Sequence, residues 1–198
     1  LNILRYVMKL YAIYNRDCGY VQGIGDIVSQ FIILFIKKWE KDEKENTAVF
    51  FDGKRRNTEE TESYIFWAFS KFMNLTQQDR IFGDLVVGQK FVLSKASDIA
   101  YKFHEPLNKL IGKSEASNIS FLFQSILLLF KRDFKEADVF RVWDSIICSS
   151  KPYAFPRFVT AAILILIFPK LLVHSDGSIC DAMDVTGGFL VNANIERI

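Results

Sequence analysis

The chain has 198 residues, half of them hydrophobic and 15% aromatic, with 19 phenylalanines. That supports one domain with a sizeable core, in one lobe or two, and argues against a disordered segment. A formal net charge of +2, with basic residues only in short runs such as Lys37-Lys38 and Lys54-Arg55-Arg56, argues against nucleic acid as a partner, because phosphate binding needs a clustered basic excess.

Ile3, Val7, Leu10 and Tyr14 predict a first amphipathic helix, and Asn15-Arg16-Asp17-Cys18-Gly19 reads as the turn that ends it. A second helix is expected over residues 21–39, with Ile24, Ile27, Val28, Phe31 and Phe35 on its apolar side, and a third through Ile65, Phe69, Phe72 and Met73. Between them, residues 37–62 mix both charge signs and read as a solvated loop excursion, pinned at Val49-Phe50-Phe51. Val92, Ala96, Ile99 and Phe103 continue the helical period up to Pro106. Residues 119–130 are apolar nearly all round and predict a central helix buried on every side. Val139, Phe140, Trp143, Ile146 and Ile147 mark another helix, and residues 158–173 the last clear one. The tail over 174–198 is too polar and glycine-broken to place. No run alternates as a strand, so the fold class is read as all-α.

The apolar run 158–168 is well short of the roughly 20 residues that span a bilayer; it reads as a core helix, with no direct membrane insertion. Cys18, Cys148 and Cys180 lack Cys-x-x-Cys spacing and fit a reducing, intracellular setting rather than a disulfide framework or a metal site. No signal peptide opens the chain, and the missing initiator Met suggests a fragment. There is no phosphate-binding loop, zinc-protease motif or nucleophile elbow, so no cofactor is implied. His104, beside Glu105-Pro106, reads as a capping or packing residue.

One constellation stands apart. Gly19-Tyr20-Val21-Gln22-Gly23-Ile24-Gly25-Asp26 leads from a turn into an apolar helix, with Gln22, Asp26, Ser29 and Gln30 on one polar stripe. That stripe is either a solvent face or a means of presenting Gln22, flanked by glycine, to a partner.

This segment closely resembles the Tyr-x-Gln-Gly motif of TBC domains, the Rab GTPase-activating family. Glu62-Ser63-Tyr64-Ile65-Phe66-Trp67, Pro106-Leu107, residues 121–134 and Arg141-Val142-Trp143-Asp144 resemble further family segments in the same order. The resemblance covers roughly residues 1–173 and implies an all-α, multi-helix TBC-like domain, truncated at its N-terminus, with 1–198 a single domain. It implies that Gln22 acts in trans on a GTP-bound Rab-type GTPase, supported by Tyr20, Gly23 and Asp26, whose other reading is packing and helix-end hydrogen bonding. Trp143, Arg141 and Asp144 are implied scaffold. The family's second catalytic group, an arginine in Ile-x-x-Asp-x-x-Arg, lies upstream of the Tyr-x-Gln segment. The lookalike Ile81-Phe82-Gly83-Asp84 carries Val87 in the arginine's place, and Gln124 stands where many members carry an arginine. The expected activity is GTPase activation, regulating vesicle trafficking from a cytoplasmic location peripheral to endomembranes. The alternative is a TBC-like scaffold that binds a GTPase or adaptor without accelerating hydrolysis. An unrelated helical-repeat interaction domain is a third reading, opposed by the lack of a fixed internal period.

Overall fold

Ile3, Val7 and Tyr11 recur every four residues and form the buried face of α1 (Asn2–Tyr14) in the computed structural model, which describes residues 2–41, 46–111, 119–174, 184–188 and 190. The stripe runs through Tyr11 rather than Leu10, so Leu10 is half-buried and Tyr14 is exposed. The chain forms two compact units, Leu1–Gly83 and Asp84–Ile198.

In the first unit, α1 packs on α2 (Ile24–Phe35) and α3 (Thr58–Thr76), and α4 (Gln78–Gly83) follows α3 closely. Aromatic edges join the three long helices. Tyr11 meets Phe69 with ring centres 4.7 Å apart, and Phe31 meets Phe69 and Phe72 at 6.2 and 5.5 Å; such pairs contribute about 0.5–1.5 kcal/mol each beyond their burial. Asn57 and Glu60 close a capping box at the start of α3, satisfying N–H groups that its first turn leaves unpaired.

The charged stretch after α2 is not the expected loop. The second helix stops at Phe35, and a three-stranded antiparallel sheet follows, made of β1 (Ile36–Lys41), β2 (Asn46–Phe50) and β3 (Arg55–Arg56), in that order. Its inner face is buried through Ala48, Phe50 and Arg56. The Arg56 guanidinium lies 4.1 Å from the Phe50 ring centre and 4.5 Å from that of Tyr64 on α3, and Asp52 accepts two hydrogen bonds from it, at 2.9 and 3.2 Å. On the outer face Glu40 pairs with Lys38 at 2.7 Å and with Arg55. An arginine on the inner face hides the apolar alternation by which a strand is recognised. Phe50 does pin this segment, whereas Phe51 is exposed.

In the second unit, α5 (Leu85–Phe103) packs on α9 (Phe155–His174), joined by α6 (Glu105–Ile111), a 3₁₀ turn (Ser120–Leu122), α7 (Phe123–Leu127) and α8 (Glu136–Cys148). Asp84 caps α5, its carboxylate accepting the Val87 N–H at 3.0 Å, which gives the Ile81-to-Val87 lookalike a structural role. His104 accepts the Leu107 N–H at 3.1 Å and meets the Phe168 ring at 4.5 Å, so it both caps α6 and packs.

The single helix expected over 119–130 is also corrected. The 3₁₀ turn leads into α7, which ends at Leu127 in a Schellman arrangement: Phe130 N–H donates to the Ser125 carbonyl at 2.7 Å and Leu129 N–H to that of Ile126 at 3.1 Å. Leu129 takes φ +49° and Phe130 φ +63°, a conformation usually left to glycine. The apolar run therefore ends a helix without the glycine that signals such an end. Among the described residues no helix is long and apolar enough to cross a membrane. The expected tail lies mostly outside the described residues, as does Cys180.

Candidate functional site

Gln22 stands on a turn that is held from several sides. After α1, the Asn15 side chain accepts the Cys18 N–H at 3.2 Å and donates to the Tyr11 hydroxyl at 3.2 Å, while the Asn15 carbonyl accepts the Gly19 N–H at 2.8 Å. Gly19 takes φ +63°. A Cβ on Gly83, at the end of α4, would come 3.0 Å from the Asp17 carbonyl oxygen, so α4 seats closely under this segment. Cys18 is buried there, and burial, with a smaller push from Asp79, raises its thiol to about 11. The thiol stays protonated near neutral pH and is no nucleophile.

The Ile24 N–H donates to the Val21 carbonyl at 3.2 Å, closing a β-turn with Gln22 and Gly23 at its corners. Gly23 has φ 108° and ψ −25°, the geometry of the left-handed third position of a type II turn, and it also begins α2. A side chain at the second position of such a turn projects outward, and Gln22 is exposed. Tyr20 is exposed beside it. Asp26 is half-buried in the first turn of α2, where a carboxylate favours the helix dipole, and its carbonyl accepts the Ser29 hydroxyl at 2.8 Å.

The polar stripe is not a uniform solvent face. Gln30 is buried, with no partner for its Oε1 among the described residues. Tyr20, Gln22, Gly23 and Asp26 are thus gathered at the head of α2. Trp143, Arg141 and Asp144 lie in the other unit, on α8. Trp143 is buried and its Nε1–H donates to the Leu129 carbonyl at 2.8 Å. Arg141 is exposed, 3.8 Å from Asp138, and Asp144 and Gln124 are exposed. Sequence reasoning took Asn15 only as a turn residue; the signal that could have singled it out is its place just before Cys18-Gly19, where a short side-chain amide can bond the following backbone. No group of three His, Cys, Asp or Glu among the described residues could hold a metal.

The family model described as the Rab-GTPase-TBC domain matches residues 1–172. The chain belongs to this family. It is similar to the GTPase-activating protein GYP7 of Saccharomyces cerevisiae, 21% identical over 86% of this chain and 19% of the relative. It is also similar to TBC1 domain family member 17 of Mus musculus, 26% identical over 90% of this chain and 24% of the relative. The GTPase-activating protein gyp1 of Schizosaccharomyces pombe is 25% identical over 82% of this chain and 32% of the relative. The chain therefore spans only about a fifth to a third of the length of these relatives. In this TBC domain Gln22 is an exposed amide on a hydrogen-bonded turn.

Proposed function

We propose that this TBC domain accelerates GTP hydrolysis by a Rab-type small GTPase in its GTP-bound form, and that Gln22 is the side chain it contributes. One observation supports this above the others: an exposed amide held on a braced turn, in a chain that the Rab-GTPase-TBC family model matches over residues 1–172. A primary amide has an acceptor and a donor end. One can orient the attacking water while the other bonds a phosphate oxygen, and a fixed turn removes the search for that geometry. Gly23 permits the turn, Asp26 steadies the head of α2, and Tyr20 offers an exposed ring to the partner.

The developing phosphate charge calls for an arginine, worth roughly 10³–10⁵ in rate for activating proteins in general. In the family that the resemblance names, an Ile-x-x-Asp-x-x-Arg motif supplies it. The bond cleavage belongs to the GTPase, so the domain acts as a regulator. Residues 1–198 then form one domain, brought to endomembranes by its lipid-linked partner and regulating vesicle traffic from the cytoplasm.

The test is single-turnover GTP hydrolysis by a panel of Rab proteins, with the full-length native protein. Acceleration of at least one Rab is expected. Binding of GTP-loaded Rab with no acceleration of any would replace this reading with a non-catalytic scaffold.

A further inference from the structure

The first turns of α5, in the second unit, leave apolar side chains in solvent. Val86, Val87 and Phe91 are 64%, 62% and 51% exposed, and Val87 and Phe91, four residues apart, share one face of the helix. Arg157 of α9 lies against this face, its guanidinium carbon 4.7 Å from the Phe91 ring centre and 6.0 Å from that of Tyr153. Among the described residues no ion pair joins Arg157 to an acid, and its buried Nε has no hydrogen-bond partner. Asp84, which caps α5, is already bonded to the Val87 N–H, and Asp98 within α5 lies 3.9 Å from Lys95, whereas Lys90 and Lys151 are exposed cations on the same two stretches.

Burial pulls the Arg157 pKa below its usual value, yet an arginine keeps its charge at any ordinary pH. A half-buried guanidinium without a counter-charge is relieved by a carboxylate, which its planar fork can bind through two parallel hydrogen bonds. Stacking on Phe91 and Tyr153 holds that fork in place.

We propose that Val87, Phe91 and Arg157 form a docking site for an acidic, apolar peptide segment of a partner protein. A carboxylate sits on the Arg157 fork, and an aliphatic or aromatic side chain covers Val87 and Phe91. The site uses no residue of the Gln22 turn and stands whether or not the domain activates a GTPase. An anionic membrane is the poorer occupant, because such adsorption draws on a cluster of roughly four to eight basic residues rather than one stacked arginine.

The test is to pan random short peptides against the native protein and measure the affinity of the enriched sequences. Enriched peptides should carry Asp or Glu close to Leu or Phe. Arg157→Gln should weaken them about tenfold, as loss of a charge-assisted pair predicts, and Arg157→Lys should restore part of the affinity. Val87→Ser, an exposed change that does not endanger folding, should weaken them as well. The proposal is overturned if no peptide is enriched, if enriched peptides lack acids, or if Arg157→Gln and Val87→Ser leave affinity unchanged. Binding to phosphatidylserine vesicles that Val87→Ser abolishes, without peptide binding, would assign the patch to a membrane instead.

Discussion

Asn15 braces the segment before Gln22 with both ends of its side chain, one on the Cys18 N–H and one on the Tyr11 hydroxyl. Asn15→Ala leaves both partners short of a bond, in a place where Cys18 and Tyr11 are buried, at a cost of about 1–3 kcal/mol per stranded group. The loosened turn then presents Gln22 less often in the productive position. On a responsive Rab the stimulated kcat should fall about tenfold, the equivalent of roughly 1.4 kcal/mol, with little change in affinity for the GTP-bound partner. Single-turnover rates at several protein concentrations separate the two; a loss of affinity with unchanged kcat would give Asn15 a different role. The glutamine could be singled out as a candidate from the sequence because it sits in a short, ordered motif. Its support was not, since an asparagine in a polar turn looks the same whether or not its side chain braces that turn.

Among the elements, a hydrogen bond ties α8 to the segment that ends α7. The Trp143 Nε1–H satisfies the carbonyl of Leu129, the leucine that takes the left-handed conformation at the end of α7. Trp143→Phe keeps most of the ring and removes the donor, leaving a buried carbonyl unpaired, and should cost about 1–3 kcal/mol in chemical denaturation. The sheet carries a pH signature. Hydrogen bonding from Arg56, helped by the Lys54 N–H, lowers the Asp52 carboxyl from its ordinary 3.8 to about 2. A carboxyl depressed in the folded state stabilises the fold above its unfolded value and loses that contribution as pH falls through the folded one. The difference in melting temperature between the parent and Asp52→Asn should therefore be present above pH 3.8 and fade towards about pH 2; a difference independent of pH would contradict the pairing. Helices with a clean apolar stripe, such as α3 through Ile65, Phe69, Phe72 and Met73, could be read directly. The sheet could not, because its inner face holds Arg56, and the end of α7 could not, because Leu129 and Phe130 turn where glycine is the usual signal.

For the whole molecule, the family was legible because several modest motifs fall in one order along most of the chain, and the Rab-GTPase-TBC match covers the same span. Gln22, exposed at the head of α2, lies in the first unit, whereas the Trp143 helix and the Arg157 patch lie in the second. In the proposed account the first unit presents the catalytic amide, and an arginine of the family's Ile-x-x-Asp-x-x-Arg kind completes the pair. The most direct measurement compares the parent and Gln22→Ala, each as the full-length native protein, in single-turnover GTP hydrolysis on a responsive Rab. Removing one transition-state donor typically lowers the rate about 10²–10³-fold. The account predicts a loss of about 10²-fold in the stimulated rate with the affinity for GTP-bound Rab retained; a stimulated rate unchanged by Gln22→Ala would contradict it.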